Sequence, residues 1–255
     1  MLLCLDIGNS HIFGGVFRNN KLALRFRHAT YSNITSDQLG IFLKTVLKEN
    51  GFDPKEVKMI ALCSVVPSID YSLKAACKKY FKIDPFVLDH TTKSKIKFIT
   101  KNPSENGADI IAGIIAAIDQ HPQKNLIVVD LGTVTTIAAA AKNKEYLGAT
   151  FIPGMSTAMN SLQMNAAKLF PVQINAPKKA LGRSTTESIQ AGLFFGHLGA
   201  IKEITTNITA EVFPKNPPLL IATGGFAHLF KHEKLFHHLE PDLVLQGIKI
   251  AYEAT

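Results

Sequence analysis

An α/β fold built from two related halves is predicted by three observations. First, an apolar run ending in Asp-x-Gly occurs twice, at Leu2-Leu3-Cys4-Leu5-Asp6-Ile7-Gly8 and at Leu126-Ile127-Val128-Val129-Asp130-Leu131-Gly132, at an offset of 124 residues. Second, each copy runs on into a further apolar stretch and a polar turn, with Arg18-Asn19-Asn20-Lys21 matching Lys142-Asn143-Lys144-Glu145 at the same offset. Third, in both halves these stretches give way to alternating helix and strand patterns. Repetition in register marks an internal duplication, each copy reading as strand, Asp-x-Gly turn, strand, hairpin turn and strand.

The elements follow in order. Asn19-Asn20 suits the positive φ angles of a two-residue hairpin. Thr35 and Gln38 form a capping box, and Leu39, Phe42, Leu43, Val46 and Leu47 make the apolar face of a helix that stops before Gly51. Residues 57–66 read as a buried strand, Pro67-Ser68 start a helix to about Phe81, and Phe86 to Leu88 form a short strand. A Lys-rich loop leads to a helix from about Ala108 to Asp119. The second half has three hairpinned strands from Leu126, helices near 156–169 and 185–210, a strand at Leu219 to Ala222 and terminal helical segments. Hairpins followed by βα units in each half suggest two duplicated ribonuclease-H-like domains with a nucleotide cleft between them. The boundary falls near Pro122, giving domains at 1–122 and 123–255, and no Pro/Gly/Ser-rich linker separates them.

Composition excludes several classes. With 46% hydrophobic and 19% charged residues, the 255-residue chain can bury a large core and is not a disordered one. The start meets Asp6 with no basic lead-in, so it reads as a first strand rather than a secretory leader. Apolar runs such as Ile114 to Ile118 and Ile137 to Ala141 fall far short of the roughly 20 residues a membrane span needs. Three cysteines with no CxxC suit reduced, buried thiols of a cytoplasmic protein. The net charge of +8 is not gathered into an Arg-rich arm with interleaved aromatics, so neither nucleic acid nor membrane is an expected partner. Its densest run, Lys93-Ser94-Lys95-Ile96-Lys97 with Lys101 beyond, suits a solvated surface or attraction of small anions.

Several short segments could carry chemistry. In Asp6-Ile7-Gly8-Asn9-Ser10, Gly8 lets backbone approach phosphate oxygens, Asn9 and Ser10 add donors, and Asp6 is placed to hold Mg²⁺ through water. A capped type I turn is the plain alternative. Asp130-Leu131-Gly132-Thr133 supplies a second such turn, while Thr135 and Thr136 also suit an ordinary strand. Leu219 to Ala222 lead into Thr223-Gly224-Gly225-Phe226, a strand-to-helix turn open to a flat or anionic ligand. Ser184 and Glu187 form a further capping box that puts Thr185 at a helix start. Gly192, Gly196 and Gly199 in that helix each cost about 1 kcal/mol relative to alanine. An ordinary glycine-rich core helix or close approach of a second helix both fit. His228 and His232, spaced to share a helix face, lack the Glu of a zinc-protease signature, and no Gly-x-x-x-x-Gly-Lys-Ser loop occurs.

In combination, the two Asp-x-Gly turns and the late Gly-Gly resemble the phosphate-1, phosphate-2 and adenosine motifs of the actin, sugar-kinase and chaperone ATPase superfamily. Four further segments resemble type III pantothenate kinases: Asn102-Pro103-Ser104-Glu105-Asn106-Gly107-Ala108-Asp109, Gly148-Ala149-Thr150-Phe151-Ile152-Pro153-Gly154-Met155, Leu181-Gly182-Arg183-Ser184-Thr185 and Pro241-Asp242-Leu243-Val244-Leu245-Gln246-Gly247. The resemblance spans the chain and implies ATP-dependent phosphorylation of pantothenate to 4'-phosphopantothenate, the first step of coenzyme A biosynthesis. It implies ATP contacts at Asp6, Ile7, Gly8, Asn9, Ser10, His11, Ile12, Phe13, Thr133, Gly224 and Gly225. It places pantothenate at Thr100, Gly107, Ala108, Asp109, Ile110 and Thr185. Asp109 is implied as the catalytic base, Asp6 as a water-mediated Mg²⁺ ligand, and Asp130 as the ligand of a monovalent cation, K⁺ or NH₄⁺. A homodimer is also implied, with Thr185 reaching the substrate of the partner subunit.

Three positions depart from that pattern. Ile110 stands where the family carries arginine, Thr100 where it carries an aromatic residue, and Ser10 where threonine is usual. Ser10 keeps the hydroxyl, whereas losing a guanidinium removes a bidentate carboxylate partner. The nucleotide half therefore reads as intact and the acceptor half as altered. A kinase of a related small alcohol, or a non-catalytic nucleotide-binding regulator, are the alternatives. Retention of Asp6, Asp109, Asp130 and Thr185 favours catalysis.

Overall fold

Leu3, Leu5 and Ile7 of strand β1 (Leu2–Ile7) have no exposed surface, and a sheet forms around them. The computed structural model describes residues 1–92, 94 and 96–255, so Lys93 and Lys95 of the basic run lie outside the described residues. β1 pairs antiparallel with β2 (His11–Arg18), which pairs with β3 (Lys21–Ala29). On its other side β1 runs parallel to β4 (Met59–Ser64), which is followed by β5 (Phe86–Leu88). The order is β3-β2-β1-β4-β5. Asn19 and Asn20 take φ angles of 51° and 63° at the β2–β3 turn, as the hairpin reading requires.

Two helices close one core against this sheet. In α1 (Ser36–Glu49), Thr35 Oγ1 accepts the Gln38 N–H at 3.2 Å and Gln38 Oε1 accepts the Thr35 N–H at 2.9 Å, completing the expected capping box. Leu39, Leu43 and Leu47 of α1 pack with Ile69 and Leu73 of α2 (Pro67–Ala76) and with the β1 leucines. α2 continues through a π-helical turn at Cys77–Phe81, so the helical stretch ends where periodicity predicts. β4 is shorter than the predicted strand. Val57 closes a 3₁₀ turn begun at Pro54, and Val66 caps α2, which removes both ends from the sheet.

A second sheet repeats the topology. β7 (Leu126–Leu131), β8 (Val134–Ala140) and β9 (Glu145–Pro153) form the hairpinned set, and β10 (Leu219–Thr223) and β11 (His238–Leu239) add parallel to β7. Read from β9 the order is β9-β8-β7-β10-β11, the same as in the first sheet, with β6 (Lys97–Phe98) added outside β9. The duplication seen in sequence is therefore a duplication of fold, and both units are ribonuclease-H-like. α4 (Met155–Asn165) and α5 (Thr185–Val212) belong to this unit; α4 ends before the predicted position, and residues 166–184 are irregular. His228 and His232 do not share a helix, because the helical turn there covers only Ala227–Phe230.

The units are not the two contiguous halves. One comprises Met1–Lys95, Lys101–Ala116 and Leu243–Thr255, and the other Ile96–Thr100 and Ala117–Asp242. Strand pairing explains the first exchange, since Lys97 and Phe98 lie opposite Glu145 and Tyr146 of β9. Burial explains the second. α6 (Leu243–Glu253) buries Leu243, Leu245, Ile248 and Ala251 within the first unit, against β1 and α3 (Ala108–Gln120). At Gly247 the α6 backbone lies so close to α3 that a Cβ would overlap the Ala112 carbonyl. We expect Gly247→Ala to push the helices apart and destabilise the first unit by about 1–3 kcal/mol. Chemical denaturation against wild type checks this; an unchanged midpoint would contradict it.

Candidate active site

Three residues, Gly8-Asn9-Ser10, turn β1 into β2. The Gly8 N–H donates to the His11 carbonyl at 3.0 Å, closing the turn. Thr30, just past β3, braces it from behind: its Oγ1 donates to the Gly8 carbonyl at 2.7 Å and its N–H to the Ser10 carbonyl at 3.0 Å. Asn9, Ser10 and His11 are exposed, whereas Ile7 and Ile12 are core residues. Within the segment 6–13, Ile7 and Ile12 thus have only backbone to offer a ligand. Phe13 lies half-buried under the Arg27 guanidinium, 4.2 Å from its ring centroid.

Directly paired residues share a sheet face, so Arg27, Phe13, Asp6, Cys63 and Leu88 form one row across the first sheet. Within it the Cys63 thiol, fully buried, donates to Asp6 Oδ1 at 3.5 Å. Burial pushes the Cys63 thiol well up, and the charges of Asp6 and Asp109 push it further, so it is a neutral donor. Asp109 enters from the first turn of α3. Its Oδ1 accepts the Ile110 N–H at 2.8 Å and folds back over Gly107, where a Cβ would overlap that oxygen. This is the physical reason for glycine two residues before the aspartate. Burial raises the Asp109 pKa above the usual carboxylate range, and the Ile110 N–H only partly opposes it. Ile110 and Ala108 flank the carboxylate, one half-buried and the other buried.

In the second unit Asp130 takes the place of Asp6, between Thr136 of β8 and Thr223 of β10. Gly224, at φ 88°, presses on it: a Cβ there would overlap Asp130 Oδ1 and lie 2.6 Å from the Leu131 nitrogen. Gly225 beside it faces open space. The turn at Gly132-Thr133 is held by α4, whose Gly154 N–H and Thr157 Oγ1 donate to the Thr133 carbonyl at 3.1 and 2.6 Å. The fold thus gathers Asp130, Thr133, Gly224 and Gly225 at one end of the sheet. Thr133 is exposed there, and Thr135 and Thr136 are buried, as an ordinary strand reading requires.

Beyond Thr157 lies a groove of about 1210 Å³ lined by residues that include Ser161, Leu162, Arg183, Thr185 and Ser188. Thr185 is exposed on it at the start of α5. Ser184 Oγ accepts the Glu187 N–H at 3.2 Å, but the Glu187 carboxylate takes the Arg183 N–H at 2.7 Å, so the expected box is displaced by one residue. His197 secures α5 by donating from Nε2 to the Pro153 carbonyl at 2.9 Å. Thr100 follows β6 in this unit, whereas Asp109 and Ile110 belong to the first. Cys63, Thr30 and Thr157 were not legible as site residues, since each acts through a partner distant in sequence.

Among the described residues no group of three or more His, Cys, Asp or Glu could cage a metal ion. What exists instead are two separate carboxylates, each at a strand end beside a glycine turn. A single carboxylate of that kind, such as Asp6, fits a hydrated Mg²⁺ carried on phosphate oxygens, which takes only one or two protein carboxylates.

Two equivalent sheets, each with Asp-x-Gly at the end of its first strand, define the actin-like ATPase and sugar-kinase fold. MreB 5 of Spiroplasma citri, solved with AMPPNP, has that fold; it is 12% identical, with a TM-score of 0.51 over 99% of this chain and 96% of its own. A Campylobacter jejuni protein assigned to the Baf family of transcriptional activators is 20% identical, with a TM-score of 0.62 over 99% and 98%. These two likenesses concern the fold. Residues 2–207 match the family model of type III pantothenate kinase. A type III pantothenate kinase of Legionella pneumophila (strain Corby) is 51% identical over 251 residues, 98% of each chain. The chain belongs to the type III pantothenate kinase family, and it is a kinase.

Asp109 also couples the site to stability. A carboxyl whose folded pKa is raised holds its proton more tightly in the native state, so stability is lost as pH rises through the interval from the unfolded value, about 3.9, to the raised one. Asp109→Asn removes that loss. We expect the variant to melt above wild type at pH 8 and to converge with it near pH 4, as thermal denaturation at both values would show.

Proposed function

We infer that the chain transfers the γ-phosphoryl group of ATP to the primary alcohol of pantothenate, giving 4'-phosphopantothenate and ADP in the first step of coenzyme A synthesis. The observation that carries this is the Asp109 carboxylate, raised in basicity by burial and fixed through Oδ1 by the Ile110 N–H. Oδ2 is then the atom that takes the alcohol proton. The alcohol oxygen forms its bond to the γ-phosphorus as the bond to the β-bridging oxygen breaks, and ADP departs with those electrons. Such a transfer depends chiefly on alignment and charge stabilisation, which a fixed carboxylate and two glycine turns supply.

The remaining roles are assigned on local chemistry. Asp6, with the braced Gly8-Asn9-Ser10 turn, receives phosphates and a hydrated Mg²⁺, which supplies charge neutralisation when bound. Asp130 holds K⁺ or NH₄⁺ beside the Gly132-Thr133 turn, and Gly224-Gly225 receive the adenosine. With Ile110 in place of arginine, the pantothenate carboxylate relies on other donors, such as backbone N–H groups. A homodimer is supported by α5, whose Gly192, Gly196 and Gly199 are exposed with nothing near a Cβ at any of them. Exposed Leu162, Met164 and Leu181 lie in the same unit. In that assembly Thr185 serves the substrate of the other subunit, and the enzyme works in the cytoplasm.

A coupled ADP-release assay with pantothenate tests the reading. We expect Asp109→Asn to lower kcat by a factor of about 10² or more with little change in ATP binding. For wild type, kcat should fall on the acid side at a pH above the ordinary carboxylate value, because the base must be ionised. Turnover of the variant near the wild-type rate would remove Asp109 from the chemistry.

The cation assignment has its own check. Exchanging K⁺ for Na⁺ should abolish most activity, and adding K⁺ or NH₄⁺ should restore it. Rates indifferent to the exchange would take Asp130 out of that role.

A further inference from the structure

The row across the first sheet contains a residue that the kinase reading does not use. β4 is apolar and buried at Ile60, Ala61 and Leu62, yet its next residue, Cys63, turns a hydrogen-bond donor onto Asp6 Oδ1 at 3.5 Å. That length is ordinary for the larger radius of sulfur. The thiol has no exposed surface, and Asp109 lies close enough for its charge to act on it as well. A carboxylate oxygen turned toward a sheet interior needs a donor. A lysine or arginine would meet that need but would neutralise Asp6 and compete with any cation it is to hold. A neutral donor meets the need of that oxygen without bringing a charge of its own.

The second unit has a comparable side chain at the equivalent position. Thr223 of β10 pairs with Asp130 as Cys63 of β4 pairs with Asp6, and it is 2% exposed. The two strands differ in sequence, Met59–Ser64 reading MIALCS and Leu219–Thr223 reading LLIAT, yet each places a small buried side chain with a neutral donor beside its aspartate. Filling the core alone would not require this, since alanine or valine would serve.

We propose that Cys63 is a positioning residue for Asp6: its thiol, held on Oδ1, keeps the carboxylate in one orientation toward the hydrated cation on the nucleotide. The inference rests on the reading of Asp6 as the aspartate that holds the cation. The test measures Mn²⁺ binding by electron paramagnetic resonance in the presence of AMPPNP, alongside kcat and thermal melting. Cys63→Val fills the site with a somewhat larger apolar side chain and removes the donor, Cys63→Ser keeps a donor, and Asp6→Asn serves as reference. We expect Cys63→Val to weaken Mn²⁺ binding about tenfold, a typical cost of removing an outer partner of a metal carboxylate. Cys63→Ser should restore binding to within about twofold of wild type. If valine strains the core and lowers the melting temperature, Cys63→Ala replaces it and should weaken Mn²⁺ binding likewise. Wild-type Mn²⁺ affinity in the donor-less variant, or equal losses with serine and valine, would overturn the proposal. Should Asp6→Asn leave Mn²⁺ binding unchanged, the reading of Asp6 falls and this inference with it. A loss with Asp6→Asn but none with Cys63→Val defeats only the role of Cys63.

Discussion

A carboxylate at the end of a buried strand is the constraint on which the rest of this structure turns. Asp6 and Asp130 each stand one residue from the end of the first strand of a sheet, with apolar residues on either side of them along the chain. Ionised groups at such positions are tolerable only where neutral donors and backbone N–H groups surround them. For Asp6 the adjacent strand β4 supplies the Cys63 thiol, and a glycine turn follows each aspartate. Thr30 behind one turn, and Gly154 with Thr157 behind the other, hold those turns by their carbonyls.

Asp109 meets the same constraint differently. It sits in the first turn of α3, where the helix dipole favours an anion, yet burial outweighs that help and raises its pKa. The unit gives up some stability at neutral pH to hold there a carboxylate whose proton affinity burial has raised. Gly107 makes the geometry possible, since any side chain at that position would displace the carboxylate. Gly224 does the corresponding service for Asp130. These two glycines thus act less as hinges than as spaces into which a carboxylate fits.

Duplication supplied two equal frames, and small exchanges made them unequal. β6 extends the second sheet beyond β9, while α6 leaves the second half of the chain to bury its apolar face in the first unit. The second unit also carries α5, 28 residues long, with a buried face at Ile189, Leu193, Phe194, Leu198 and Ile201 and a glycine-bearing face left exposed.

Sequence by itself determined the elements that depend on local rules. The paired Asp-x-Gly turns, the Asn19-Asn20 hairpin, the Thr35–Gln38 box and the start of α3 at Ala108 all rest on spacings of a few residues, and the duplication rests on one offset. The Asp-x-Gly turns, with Gly224-Gly225 and the segments 102–109, 148–155, 181–185 and 241–247, also carried the family. Tertiary structure decided what depends on partners far along the chain. The dipeptide at β6 has no periodicity of its own and exists because β9 offers an edge. α6 looks like any amphipathic helix in sequence, and only the surface that buries its apolar face assigns it to the first unit. Cys63 reads as a small core residue until pairing in register sets it beside Asp6, 57 residues away in sequence. Basicity at Asp109 was equally invisible, because an ordinary pKa is a property of the side chain, whereas its displacement is a property of the burial that the assembled fold imposes.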